Sequence, residues 1–338
     1  MVESRKLSSS FVWLLLTSCC GTHAFLSQAA AGSRRKSAWN TILSSAYLDG
    51  ISRRLTTTHN GLEIDDASVL PKPGEILPMN WQGENLSRNC FRIGLPTQLV
   101  QELRSYASQI GISDFYHQLV VDNQPLRPGA ERVVALGGQQ WMAQRPKSHW
   151  CSNMHWVSPA DESAHDEFLR VLGAGGFDRV LESVGKYFEL EALSAYHLSF
   201  IGVSHCEKGF IHADVNDSGR KAFNIIIPLI LETEAGPELE ILGDDERDVR
   251  YYKYQINAAS MVGDDALHAT AACDYRPQGG MRLAATVYVG DITTENVNQL
   301  LRSLTQAYPP PGDSRHLLER AGQHWSRLDS STRLPVLQ

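Results

Sequence analysis

Two positions apart on a short apolar stretch, His212 and Asp214 offer an imidazole and a carboxylate to a single point in space. Ile211-His212-Ala213-Asp214 reads as part of a strand over Gly209 to Asp214, and strand side chains alternate faces, so residues i and i+2 point the same way. An imidazole and a carboxylate, completed by a second imidazole, make the set that holds non-haem Fe(II) on one side and leaves adjacent coordination positions open. The pair alone is a weak signal, because 12 His and 19 Asp in 338 residues give about 0.7 His-x-Asp by chance. His205-x-Glu207 is a second pair of the same kind. It is set aside because Glu207-Lys208-Gly209 reads as the turn into the strand of His212.

A further imidazole, His268, follows Gly263-Asp264-Asp265-Ala266-Leu267 and precedes the strand-like run Met281 to Val289. In that run Met281, Leu283, Ala285 and Val287 make one apolar face, and Arg282, Ala284, Thr286 and Tyr288 make the other. A guanidinium turned into a barrel interior is tolerable there only against a carboxylate. The distal carboxylate of 2-oxoglutarate would supply a bidentate partner, and the small Ala284 leaves room beside Arg282. Arg276 competes for this role, but it precedes Pro277 in a turn and is expected in solvent.

The stretch from about Tyr196 to Asp291 resembles the 2-oxoglutarate/Fe(II)-dependent dioxygenase superfamily, in the style of its prolyl-hydroxylase-like branch. The likeness is carried by His212-Ala213-Asp214, Phe223-Asn224-Ile225-Ile226-Ile227-Pro228-Leu229, Gly236-Pro237-Glu238-Leu239, Gly263-Asp264 ahead of His268, and Arg282. It implies His212, Asp214 and His268 as the Fe(II) ligands and Arg282 as the anchor of the distal carboxylate, with no catalytic group beyond the metal ligands. Fe(II) and 2-oxoglutarate are the implied cofactors, and ascorbate is admitted as a reductant. The implied reaction is hydroxylation of a peptide residue, prolyl or other, or of a small metabolite, with release of succinate and CO2. Asp214, where a halogenating member would carry Ala or Gly, favours hydroxylation. Two positions depart from the family's pattern. Ala284 stands where a hydroxyl residue often follows the arginine, and no second carboxylate-binding group is evident, with Asn224 and Tyr196 as the candidates. Two other readings stay open: a cupin-like metal oxygenase that does not use 2-oxoglutarate, and a non-catalytic β-helix binding module.

The elements that must position these residues come in the order helices, then strands. Pro96 to Gly111, Ser163 to Leu172 and Phe177 to Phe188 carry apolar residues at helical spacing, and Asn296 to Ala307 reads as a closing helix. Strand-like runs begin at Tyr196 to Val203 and recur at Gly209 to Asp214, Phe223 to Leu231, Pro237 to Leu242, Tyr251 to Asn257, Ala266 to Ala271 and Met281 to Val289. Segregated helices and strands predict an α+β domain: a double-stranded β-helix (jelly-roll) core with helices packed on one sheet. The core is expected over about 195–291, inside a domain of 76–308, with a tail of 309–338 after Pro309-Pro310-Pro311. The rings of Trp141 and of His149 to Trp156 are expected to pack helices against the sheet, a loop closing over a substrate being the alternative, and Asp244 to Asp248 to form a solvated loop.

A chain of 338 residues, 42 % hydrophobic and 20 % charged, is long enough to bury a sizeable core. Its formal charge of −7 offers no basic face to nucleic acid. In residues 1–24, Arg5 and Lys6 precede the apolar run Phe11 to Leu16, which is signal-peptide composition. A membrane span takes roughly 20 apolar residues, so no membrane association is expected of the mature form. Residues 25–75 open with a basic, Ser/Ala-rich stretch that carries no acid up to Leu48, and end in Pro71-Lys72-Pro73-Gly74; they read as a transit-like segment and linker. With Ala24-Phe25-Leu26 at the junction, this resembles the bipartite plastid presequence of algae with complex plastids, the ER lumen or secretion being the alternative. The cysteines form no C-x-x-C, and Cys90, Cys151, Cys206 and Cys273 read as ordinary core or surface thiols.

Overall fold

The structure is a computed structural model that describes residues 70–300, apart from 82–83, 86–88, 123, 146–152, 192, 216–217, 232–237, 243–248, 294–295 and 297–299. The signal peptide, nearly all of the 25–75 segment, the Asp244 to Asp248 loop, the closing helix apart from Asn296 and Leu300, and the 309–338 tail lie outside the described residues.

Alternating apolar residues build one large antiparallel sheet. Its strands are β1 (Ile76–Pro78), β4 (Cys90–Gly94), β5 (Glu131–Leu136), β6 (Gln139–Gln144), β7 (Asn153–Pro159), β8 (Leu193–Cys206), β9 (Ala222–Ile230), β12 (Ala258–Val262) and β15 (Arg282–Asp291). They lie in the order β1-β4-β12-β9-β15-β8-β7-β6-β5, and the short β14 (Cys273–Asp274) pairs with β8. A smaller antiparallel sheet joins β10 (Leu239–Leu242), β11 (Val249–Tyr252) and β13 (His268–Thr270) in the order β11-β10-β13. A separate ribbon pairs β2 (Asn80–Trp81) with β3 (Glu84–Asn85).

The two faces of the large sheet have different neighbours. On one, Leu198, Phe200, Ile225, Leu283, Ala285 and Val287 pack against four helices: α1 (Thr97–Gln109), α2 (Ile112–Tyr116), α3 (Glu162–Ala174) and α4 (Phe177–Phe188). Phe168 of α3 stacks on Phe200 with centroids 4.8 Å apart, and Trp141 packs beside both, as expected of that ring. On the other face, Ile226, Val262 and Ala284 meet Leu239, Ile241 and Tyr252 of the smaller sheet. Mostly antiparallel sheet with helices covering one face is the α+β arrangement expected.

Local chemistry fixes the outer parts. Asp161 caps α3 by accepting from the Ala164 N–H at 2.7 Å, and its other carboxylate oxygen accepts from Gln140 N at 2.8 Å, which ties the helix to the β5–β6 hairpin. That hairpin closes on Gly137 and Gly138, both at positive φ, as a two-residue turn between right-twisted strands demands.

Three expectations need correction. Strands do not wait for the helices to end, since β5, β6 and β7 lie between α2 and α3 and extend the large sheet by its far edge. The strand expected over Tyr251 to Asn257 stops at Tyr252, and the next strand is β12, which pairs with both β4 and β9. Gly209 to Asp214 is not a ladder strand. His212 makes one isolated bridge to His268 and Val215 another to Asp264. Asp264 holds the chain further on, its carboxylate accepting from Ser218 N at 2.9 Å and Arg220 N at 2.7 Å.

Candidate metal centre

His212 and His268 exchange two backbone hydrogen bonds, N to O in both directions at 2.9 Å, so the bridge sets their rings side by side with centroids 4.7 Å apart. Asp214 reaches the same spot from two residues further on. Its Oδ1 lies 3.3 Å from His212 Nε2, and its Oδ2 lies 3.3 Å from His268 Nε2. One ligand atom from each of the three side chains falls within 4.8 Å of the others. Among the described residues this is the group of His, Cys, Asp or Glu side chains that could hold a metal ion; His205 and Glu207 are not in it.

The tautomers suit metal binding. His212 Nδ1 is 2.7 Å from the Phe210 carbonyl and His268 Nδ1 is 2.8 Å from the Ala266 carbonyl. A carbonyl only accepts, so each Nδ1 carries the proton and each Nε2 turns a lone pair toward Asp214. Two imidazole lone pairs facing a carboxylate repel one another unless a proton or a cation sits among them. In the metal-free protein the answer is a proton. Burial alone would lower the pKa of His212, but its hydrogen bond and charge contact with Asp214 outweigh burial and raise it. Burial would likewise raise Asp214, yet the two imidazoles hold it well below the usual carboxylate range. A divalent cation satisfies the same three donors without a proton, so the donor set fits non-haem iron.

Neighbours fix the carboxylate. Asn224 Nδ2 donates to Asp214 Oδ2 at 2.6 Å, and the Tyr288 hydroxyl also hydrogen-bonds Asp214. Asn224 pairs in register with Tyr288, six residues along β15 from Arg282 or roughly 20 Å of strand. It therefore stands at the metal end of the cavity and not beside the guanidinium. Tyr196, the other candidate, is buried against Val215, Ala222 and Leu300. Its neighbour His197 lines the cavity instead, and burial, with the nearby His165, pushes its ring down to about 4, so it is neutral.

Arg282 sits at the other end, 3 % exposed. Its Nη1 donates to the Glu238 carbonyl at 2.7 Å, its Nη2 lies 3.5 Å from Thr270 Oγ1, and the guanidinium rides over the Tyr254 ring at 5.3 Å. Burial opposes the charge, but Tyr254, Tyr275, Cys273 and Glu238 around it outweigh burial and push its pKa up. Among the described residues it forms no ion pair. Arg276, its rival, is exposed and paired with Asp274 at 2.8 Å.

The two ends share one cavity of about 480 Å³, lined by His212, Asp214, His268, Tyr254, Arg282 and Ala284 among others. Thr270 lies two residues past His268 on β13, on the same face, which is ~7 Å along the strand. A guanidinium in reach of Thr270 is thus about one short dicarboxylate from the three ligand atoms. The cavity floor alternates as expected for β15: Arg282, Ala284, Thr286 and Tyr288 face in. Thr286 and Ser199 share a hydroxyl–hydroxyl bond of 2.5 Å there. Met154, Trp156 and Phe210 complete the apolar part of the wall, and Phe210 stacks on His212 at 6.0 Å. Tyr254, which the sequence places only inside a strand, is a cavity-lining side chain beneath Arg282 that the sequence does not single out; the alternation of Tyr252 and Tyr254 is its one signal.

No family model matches the chain, and no curated protein matches it in sequence. Solved structures it resembles include members of the 2-oxoglutarate/Fe(II) oxygenase family, prolyl hydroxylases among them. One is the non-haem α-ketoglutarate-dependent epimerase SnoN of nogalamycin biosynthesis, at 11 % identity and TM-score 0.37, covering 60 % of this chain and 78 % of the other. A prolyl-4-hydroxylase of Pseudomonas putida matches at 16 % identity and TM-score 0.34, covering 61 % and 94 %. An oxidoreductase of the 2OG-Fe(II) oxygenase family from Burkholderia pseudomallei matches at 12 % and 0.32, covering 57 % and 90 %.

Proposed function

We propose that this chain is an Fe(II)- and 2-oxoglutarate-dependent oxygenase built on a double-stranded β-helix, and that it hydroxylates a peptide residue or a small metabolite. One observation carries the reading: a His-Asp-His cluster with its lone pairs converging, and, at the far end of the same cavity, a buried guanidinium that forms no ion pair among the described residues. A chelating dicarboxylate would use both halves of the cavity.

His212, Asp214 and His268 would hold the iron, with Asn224 and Tyr288 orienting the carboxylate between the imidazoles. Arg282 would take the distal carboxylate of 2-oxoglutarate as a bidentate pair. The Tyr254 phenol stays protonated, since burial pushes it up to about 12 despite Arg282, and it is the second donor proposed for that carboxylate. Ala284 leaves the floor between them open. Bound iron, with 2-oxoglutarate and O2, supplies oxidation of an unactivated C–H bond while the cosubstrate leaves as succinate and CO2. The apolar wall of Met154, Trp156 and Phe210 would exclude water and receive the substrate's reacting carbon.

Anaerobic titration with Fe(II), then with 2-oxoglutarate, tests the reading. The expected result is one iron per chain and a visible absorption band that develops only when 2-oxoglutarate is added. Iron binding with no response to 2-oxoglutarate would favour the cupin-like oxygenase, and no iron binding would leave a binding module. Succinate formation against peptides and metabolites then identifies the substrate.

A further inference from the structure

Where β14 pairs with β8, Cys273 stands directly opposite Cys206. The two are 7 % and 1 % exposed and share a small buried cluster with Met154, Val203 and Tyr275. Residues directly opposite in antiparallel strands have Cα atoms about 4.5–5.5 Å apart and side chains on one face. A disulfide spans Cα separations of about 4.4–6.8 Å, so this register already meets its main geometric condition. Cys206 Sγ donates to the carbonyls of Lys208 at 3.5 Å and Thr270 at 3.9 Å, the latter three residues before Cys273. Cys90 belongs to a different cluster, with Met79 and Ile226, and Cys151 lies outside the described residues.

We propose that Cys206 and Cys273 are a dithiol site that closes to a disulfide by exchange with a low-molecular-weight disulfide, of which glutathione disulfide is the type. One protein thiolate attacks a sulfur of glutathione disulfide, forming a mixed disulfide and expelling one glutathione thiolate. The second protein sulfur then attacks the first, forming the Cys206–Cys273 bond and expelling the other glutathione. The two protons lost by the protein end on the two glutathione thiols. The protein dithiol is oxidised, and the S–S bond of glutathione disulfide is the one reduced.

The position gives the bond a structural role. It would join the end of β8, from which the chain runs to His212, to the segment just past His268 and Thr270. Both metal-bearing stretches would then hang from one covalent tie near Arg282. Closing so long a loop restricts the unfolded chain, which stabilises the folded one. Burial pushes the Cys273 thiol up to about 12, so exchange proceeds through opening of the two-residue β14 and is slow.

The test equilibrates the full chain through a series of reduced and oxidised glutathione buffers, quenches it with acid, alkylates the remaining thiols and maps unreduced peptides by mass spectrometry. A linked pair containing Cys206 and Cys273 is expected in most molecules at the oxidising end. The thermal midpoint should rise with it, and both changes should reverse with a dithiol reductant. Cys206→Ser and Cys273→Ser should each lack the linked peptide and lose the redox dependence of the midpoint. Should either variant fail to fold, the map of the unaltered chain decides alone. Both thiols staying alkylated across the series, a persistent mixed disulfide with glutathione, or links to Cys90 or Cys151 instead would each overturn the assignment.

Discussion

The side-chain amide of Asn224 donates to Asp214 Oδ2 at 2.6 Å, and that same oxygen faces His268 Nε2 at 3.3 Å. One carboxylate oxygen is thereby aimed by a neutral donor that itself sits on a central strand, β9. Partners of this kind typically account for 10–100-fold in metal affinity. Asn224→Ala is therefore expected to weaken Fe(II) binding by about 10–100-fold with little change in the thermal midpoint of the metal-free chain. Anaerobic Fe(II) titration beside a melting curve checks both halves. Unaltered iron affinity would reduce Asn224 to a packing residue.

Removing a ligand itself should have a larger effect. In Asp214→Ala the two imidazoles keep their carbonyl partners but lose the anion between them, and a cation loses its charged ligand. Fe(II) binding and 2-oxoglutarate turnover to succinate should both fall to background, and His268→Ala should do the same. Succinate formation at the wild-type rate in either variant would refute the ligand assignment.

At the other end of the cavity the expected effect falls on the cosubstrate. Truncating one partner of a buried, hydrogen-bonded charge pair costs about 2–5 kcal/mol. Arg282→Ala should therefore raise the 2-oxoglutarate concentration needed for half-maximal turnover by about 30- to 5,000-fold, while Fe(II) affinity stays within about threefold. Arg282→Lys keeps the charge but not the planar fork, and should recover only part of the loss. An equal loss of iron affinity in both variants would mean that the cavity had collapsed.

Gly202 tests how the helical layer sits on the sheet. A Cβ built there would overlap a ring carbon of Tyr116, whose hydroxyl donates to the Phe200 carbonyl at 2.6 Å. The ring cannot withdraw without giving up that buried hydrogen bond. Gly202→Ala should destabilise the fold by about 1–3 kcal/mol, as overpacking of a close-packed core does. Urea denaturation should show the lower midpoint with an unchanged slope.

What is legible in the sequence, and what is not, follows from how far each feature depends on distant partners. Strand β15 repeats strictly every two residues, so its inward face of Arg282, Ala284, Thr286 and Tyr288 can be read directly, and the helices α1, α3 and α4 show their apolar stripes as plainly. Strand β5 cannot be read that way: Val133-Val134-Ala135 does not alternate, and only Gly137-Gly138 marks the hairpin. The segment around His212 resembles a strand locally, but it makes only isolated bridges, His212 to His268 and Val215 to Asp264, both partners far along the chain. Tyr254 lies past the end of β11, and its place beneath Arg282 depends on how the two sheets meet. The opposition of Cys206 and Cys273 is a matter of sheet register, which residue type and spacing do not encode.

The pH dependence of metal binding follows from the same His212–Asp214 contact. The raised pKa of His212, above its usual 6.5, means that the metal-free fold gains from this contact fully below 6.5 and loses the gain as pH rises through the folded value. Asp214, held well below 3.8, contributes in the opposite sense, but it stays ionised throughout the neutral range. Iron needs the bare Nε2 of His212, so binding must displace the proton. The stabilisation produced by the metal should therefore grow as pH rises from 6.5 through the raised folded value, while the metal-free chain loses part of its own stability over the same interval. Below the folded pKa, each pH unit should change the apparent metal affinity by about tenfold for the one proton displaced. Thermal melts with and without a redox-inert divalent surrogate such as Mn(II), run across that interval, give both curves. A metal-induced shift that shrinks as pH rises would mean that His212 is not a ligand.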